Sequence, residues 1–123
     1  MLASAKIVAF VATTDFDKAR SFYEGVLGLK FVANDGFALV MEANGVAIRI
    51  AKVGKFTPAQ FTVLGWAVQD IAETVSTMEK NGVKFERFPG LEQDALGIWT
   101  APGGAKVAWF KDPDGNILSV SQH

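Results

Sequence analysis

The chain has 123 residues, 50% of them hydrophobic and 11% aromatic, which is ample material for one packed domain and too apolar for a disordered one. Twelve basic and thirteen acidic residues leave a net charge of −1 with no long run of either sign, so no nucleic-acid footprint and no affinity for an anionic membrane are expected. There are no cysteines, which excludes disulfides, a thiolate nucleophile and a cysteine-held metal, and fits a reducing compartment.

No apolar run approaches the ~20 residues of a membrane helix. The opening residues Met1-Leu2-Ala3-Ser4-Ala5-Lys6 lack the basic-then-apolar pattern of a secretory signal, and a cytoplasmic location is expected. Residues 6–12 form a short, β-branched apolar run, predicted as a strand covered on both faces. Thr13-Thr14-Asp15 stops it. Thr14 with Asp17 three residues on resembles a capping box in which Asp replaces Glu. A helix is predicted to about residue 27, because Phe16, Ala19, Tyr23, Val26 and Leu27 make one apolar stripe. Tyr23 is assigned to the core, and Gly28 ends the helix. Strands follow at about 29–34, 37–43 and 46–51, separated by Asn34-Asp35-Gly36 and Asn44-Gly45. Asn-Gly between apolar runs is a hairpin signal, since both residues tolerate positive φ.

After a linker at about 53–60 the pattern restarts. Residues 61–68 read as a strand, and Asp70 with Glu73 repeats the capping spacing. Ile71, Val75 and Met78 form the buried stripe of a second helix ended by Gly82. Val83-Lys84-Phe85 answers Leu29-Lys30-Phe31 at the start of a first-half strand. Residues 86–102 carry mixed signals, with a strand near Ile98-Trp99-Thr100. Strands at 106–110 and 117–121 are joined by the turn Asp112-Pro113-Asp114-Gly115-Asn116. Asp15 answers Asp70 and Phe31 answers Phe85 at nearly one offset, so the chain is an internal repeat. The predicted class is α+β: one domain, 1–123, of two tandem βαβββ modules at about 5–52 and 61–122. Their eight strands are expected to form an open, barrel-like cup with the helices outside and the concave face free for a ligand.

The segment from Asp15 to Leu29, reading Asp-Phe-Asp-Lys-Ala-Arg-Ser-Phe-Tyr-Glu-Gly-Val-Leu-Gly-Leu, together with the Asp-Pro-Asp-Gly-Asn turn at 112–116, resembles the vicinal oxygen chelate superfamily. That group contains glyoxalase I, extradiol dioxygenases, fosfomycin-resistance enzymes and bleomycin-resistance proteins. The resemblance spans the whole chain. It implies metal ligands at symmetric places, on the first and last strand of each half. Matched by position these places hold Val8, Arg49, Val63 and Ser119. Two valines donate nothing and an arginine repels a cation, so no metal and no cofactor are expected. An all-oxygen site drawn from Asp35, Glu42, Glu86, Glu92 or Asp94 is the remaining metal alternative, weighed against the usual solvation of such carboxylates.

Strand alternation puts Ala47, Arg49 and Ala51 on one face. Arg49 there either points into the cup and offers its fork to a carboxylate or phosphate, or points outward or pairs with an acidic neighbour. Phe10 shares the phase of Val8 and should face the cavity, whereas Trp66 should face a helix. Trp99 and Trp109 stay open between core and pocket, with Trp99 favoured for the pocket. Phe37, Phe56 and Phe88 are turn-adjacent aromatics available to a cavity mouth. Ser119 and Ser121 share a phase, but the single histidine, His123, is expected to be solvated at the chain end, leaving no Ser–His pair. Gly103-Gly104 lacks the strand-to-helix setting of a phosphate loop. The expected function is therefore sequestration of a partly apolar or aromatic small molecule, with Phe10, Arg49, Trp99 and Ser119 as contacts and a homodimer implied by the resemblance. The alternative is a lyase, isomerase or dioxygenase with an atypical or absent metal site.

Overall fold

A computed structural model describes residues 1–123. The chain divides into two compact units, Met1–Thr57 and Pro58–His123, each an α+β module with one four-stranded sheet. In the first unit a short 3-10 turn (Leu2–Ser4) precedes β1 (Val8–Thr13), α1 (Phe16–Arg20), β2 (Lys30–Asn34), β3 (Ala38–Ala43) and β4 (Val46–Lys52). Strand order is β1-β4-β3-β2. The antiparallel run β2–β3–β4 brings β4 back beside β1 in a parallel pair. The Asn44-Gly45 turn has φ of 48° and 79°, the double positive value that the dipeptide supplies at little cost.

Helix α1 starts one residue later than the capping pattern indicates. Its N-cap is Asp15, not Thr14: Asp15 Oδ1 accepts from the N–H groups of Asp17 at 2.9 Å and Lys18 at 3.1 Å, satisfying two donors the first turn leaves open. The helix is also not α-helical to its end. From Ser21 to Val26 it is a π-helix, with Leu27 N–H donating to the carbonyl of Phe22 and Leu29 N–H to that of Tyr23. This wider winding inserts a residue per turn, a change that the apolar spacing does not record. Tyr23 is 1% exposed and lies in the core as expected.

The second unit holds β5 (Thr62–Ala67), α2 (Ile71–Lys80), β6 (Trp99–Thr100), β7 (Lys106–Lys111) and β8 (Ile117–Gln122), in order β5-β8-β7-β6. Asp70 caps α2 as its spacing indicates, accepting from Glu73 N–H at 3.1 Å. Ile71 and Val75 are buried, and Met78 is half-buried. Residues 83–85, the counterpart of the start of β2, make only an isolated bridge, Phe85 to Phe110. The β7–β8 turn is organised by the buried Asp112. Its Oδ1 accepts from the N–H of Asp114 and Asn116, and its Oδ2 from Asn116 Nδ2 at 2.8 Å.

Which face of each sheet is covered follows from contacts with the helices. Arg20 of α1 sits 3.6 Å over the Phe31 ring, and Lys52 of β4 approaches the ring of Phe16. Phe31 opposes Met41 and Met41 opposes Ile48, so the helix-facing row also takes in Val11, Leu39 and Ile50, all buried. In the second unit Gln122 Oε1 accepts from Ile71 N–H at the start of α2. Leu118 and Val120 share the phase of Gln122 and are buried with Ala108 and Phe110.

Asp112→Ala should cost about 2–3 kcal/mol, because it leaves several donors in a buried turn without an acceptor. Asp70→Ala should cost only about 1 kcal/mol for a lost cap. Urea unfolding of the two variants checks the order; equal losses would show that the turn bonds count no more than a cap.

Candidate functional site

The strand residues out of phase with the helix-facing rows present the candidate surfaces. In the first unit Phe10 of β1 lies directly opposite Arg49 of β4, and Arg49 opposite Val40 of β3. Phe10 is 65% exposed. Phe10 and Arg49 are therefore neighbours on the face away from α1, flanked by Ala47 and Ala51. Of the readings of Arg49, the one observed is the pairing with an acidic neighbour. Arg49 stands on that face, and its Nη2 pairs with Asp35 Oδ2 at 2.7 Å. Asp35 sits in the β2–β3 turn, where its Oδ1 accepts from the N–H of Phe37 and Ala38. The Arg49 hydrogen bond, followed by those two backbone bonds, lowers the Asp35 pKa from 3.8 to about 2. An anionic ligand at Arg49 would compete with this carboxylate.

In the second unit Ser119 opposes both Trp109 and Gly65, while Ser121 opposes Val107, which in turn opposes Trp99. Trp99, Trp109, Ser119 and Ser121 thus share the face away from α2. The rings of Trp99 and Trp109 lie 6.0 Å apart at 35°. Phe88 meets Trp109 edge-on at 5.5 Å, and Trp109 Nε1–H donates to Thr62 Oγ1 at 3.0 Å. Trp66 lies on the opposite face, stacked on Phe110 at 6.3 Å, which bears out its assignment to the core. Ser119 is only 8% exposed. A Cβ built on Gly65 would fall 2.6 Å from Ser119 Oγ, so the hydroxyl occupies the space that the glycine leaves.

The first-strand neighbours of the expected metal positions differ from the positional match. Beside Arg49 stands Phe10, because Val8 opposes Ala47. Beside Ser119 stands Gly65, because Val63 is the extra residue of a bulge between Thr62 and Leu64. Neither register supplies a ligand set for a divalent cation: valine, phenylalanine and glycine side chains carry no donor, Arg49 is cationic, and Ser119 offers a single neutral hydroxyl. The carboxylates of the all-oxygen alternative are dispersed in other roles. Asp35 holds Arg49, Asp94 Oδ1 accepts from Leu96 and Ile98 N–H, and Glu86 lies 3.7 Å from Lys111 Nζ. No three His, Cys, Asp or Glu side chains form a group able to hold an ion.

One exclusion made from the sequence is overturned. A Ser–His pair does exist: His123 is exposed, but its Nε2 lies 3.0 Å from Ser121 Oγ. The two are two residues apart on a strand that extends to Gln122, so alternation itself brings their side chains to one face. Two hollows of about 310 and 360 Å³ occur in the second unit. They are lined by residues such as Lys84 and Arg87, or Asp70 and Lys106, and neither includes Trp99, Trp109 or Ser119.

With this geometry established, comparison with known proteins places the chain. Two tandem modules of this strand order define a glyoxalase-type fold. Residues 6–120 match the model of the Glyoxalase/Bleomycin resistance protein/Dioxygenase superfamily, and the chain belongs to that superfamily. Among solved structures it is similar to a superfamily member from Sphaerobacter thermophilus, at 21% identity and TM-score 0.77 with 100% of each chain covered. It is similar to a lactoylglutathione lyase from Agrobacterium tumefaciens, at 18% identity and TM-score 0.73, covering 97% of this chain and 93% of that one. A third is the antibiotic-binding protein TnmS3 from a Streptomyces species, at 20% identity and TM-score 0.72, covering 99% and 98%. At these identities the likeness is one of fold. A search of curated proteins gives no significant match.

Two outcomes test the geometry. Because the folded Asp35 pKa is depressed, the pair contributes to stability above pH 3.8 and its contribution is lost as pH falls through about 2. NMR titration should find Asp35 at about 2 and, in Arg49→Ala, back toward 3.8; an unmoved pKa would place Arg49 elsewhere. Gly65→Ala should cost about 1–3 kcal/mol through overpacking. In a Ser119→Ala background most of that loss should vanish, and simple additivity in the double-mutant cycle would contradict the contact.

Proposed function

We propose that this protein binds a flat, partly apolar or aromatic small molecule without a metal, on the face of the second module formed by Trp99, Trp109 and Ser119. The observation that carries this reading is the paired indoles, 6.0 Å apart, on a sheet face away from the helix. Stacking on an indole suits a planar ligand and tolerates variation in its substituents. Ser119 adds one hydroxyl there; on the first module the Phe10–Arg49 pair is a separate candidate surface, apolar with a charged tip. The donor chemistry at the family's metal positions supports binding over metal-assisted catalysis, since a Lewis acid needs electron-rich ligands. TnmS3, which shares the fold, is an antibiotic-binding protein, and this supports the reading.

A homodimer in the cytoplasm belongs to the same reading. Ile7 and Phe61 are exposed apolar side chains of the kind a second copy would cover, and an oxidising compartment has no cysteine here to act on. No helix is long and apolar enough to cross a membrane.

Thermal melting against flat aromatic compounds, including the dye proflavine, and against divalent manganese, nickel, zinc and iron tests the proposal. A ligand of the folded state raises the melting temperature. An aromatic compound should do so, and Trp99→Ala should weaken its binding about tenfold, the size of a lost stacking contact. Stoichiometric, tight metal binding would instead favour a lyase, isomerase or dioxygenase, and no response to any aromatic compound would remove the binding reading.

A further inference from the structure

We propose that Gln93 is the positioning residue of the aromatic wall: through one side-chain amide it sets the spacing of Phe88, Trp109 and Trp99, and with it the fit of a flat ligand. Residues 86–98 contain no helix or strand, yet they are tied down in detail. Gln93 Oε1 accepts from the N–H of Phe88 at 2.8 Å. Its Nε2 donates both hydrogens, to the carbonyl of Glu86 at 2.9 Å and to that of Gly97 at 2.8 Å. The amide thus spends two donors and an acceptor on backbone groups from three points of one loop, which no other side chain type can do with the same shape.

The backbone of Gln93 bridges to that of Trp99, and Glu86 N–H donates to the Trp109 carbonyl at 2.8 Å. One end of the loop is therefore registered on Trp109 and the other on Trp99, with Gln93 joining the ends. Phe88, held through its own N–H by Gln93, is delivered edge-on to Trp109. The loop has little slack. A Cβ built on Gly97 would fall 3.3 Å from Phe85 Cβ and 4.0 Å from Gln93 Nε2. Arg87 Nη2 donates to the carbonyls of Asp94 and Ala95, a second clasp across the same loop, but neither of its partners adjoins an aromatic residue. The geometric role of Gln93 stands on these contacts, and its consequence for ligand affinity rests on the proposed binding function.

Circular dichroism of the full chain reads the ring geometry with no ligand present. Two indoles 6.0 Å apart couple and give a couplet in the indole region, which Trp99→Phe identifies by removing it. In Gln93→Leu, close in size but unable to hydrogen-bond, the couplet should be lost while cooperative unfolding is kept. Should that variant fail to fold, Gln93→Glu keeps the acceptor for Phe88 N–H but cannot donate to the two carbonyls. Its couplet should fall at about pH 7 and return in part near about pH 4 as the carboxyl gains a proton. A full couplet at about pH 7 in either folded variant overturns the proposal. Proflavine affinity should fall about tenfold with the couplet. If the couplet responds as described but proflavine and related flat dyes do not bind the unsubstituted protein, the positioning role stands and the ligand reading falls.

Discussion

Each module has one short helix with which to cover a four-stranded sheet, and the alternation of side chains along the strands does the rest. One phase of every strand goes to the helix and becomes core. In the first module this phase holds Val11, Leu39, Met41, Ile48 and Ile50; in the second it holds Ala108, Phe110, Leu118 and Val120, all buried. A slip of one residue in any strand would exchange these sets with their neighbours. The residues proposed as contacts are in effect what the core leaves over. Phe10, Arg49, Trp99, Trp109 and Ser119 belong to the other phase, and their placement is as firm as the burial of the first set.

That dependence explains what could be read from the residues. Capping at Asp70, the Asn44-Gly45 hairpin, the end of the first helix near Gly28 and the Asp112 turn are local, each set by the chemistry of a few adjacent residues. The phases of Phe10 and Trp66 followed from alternation counted from the ligand positions that the resemblance implies, whereas alternation grouped Arg49 with Ala47 and Ala51 without choosing their face. Features made by distant or compensating residues were not legible. The π-helical winding at Ser21–Val26 leaves the apolar stripe intact and so leaves no mark on it. The bulge at Val63 shifts a register without changing composition. Asp35 and Arg49 are joined by two turns and a strand, so their pairing is settled by the fold. Residues 86–98 are organised by side chains satisfying backbone groups, Gln93 with Arg87 and Asp94, and no periodicity announces them. The Ser121–His123 contact was excluded on the ground of end-fraying, although strand alternation itself places the two side chains on one face.

The two candidate faces differ in physical character. On the first module the arginine is already engaged by Asp35, whose pKa its hydrogen bond helps to lower. A ligand carboxylate there must displace an existing partner. On the second module the polar groups beside the indoles are the hydroxyls of Thr62 and Ser119, and the dominant surface is a pair of indoles held by a closed loop. This asymmetry favours a neutral or cationic planar molecule at the second module. It agrees with a set of metal-position residues that offers a divalent ion no more than one serine hydroxyl. Preorganisation matters here: rings already ordered by Gln93 and Thr62 lose little freedom when a ligand stacks on them.

The placement of the site on the face away from α2 is tested most directly by the indole N–H signals of the three tryptophans, followed by NMR during a proflavine titration. Trp99 and Trp109 should move together and saturate at one ratio, while Trp66, stacked on Phe110 behind the sheet, stays in place. Saturable movement of Trp66 alone, or none at the pair, would contradict it.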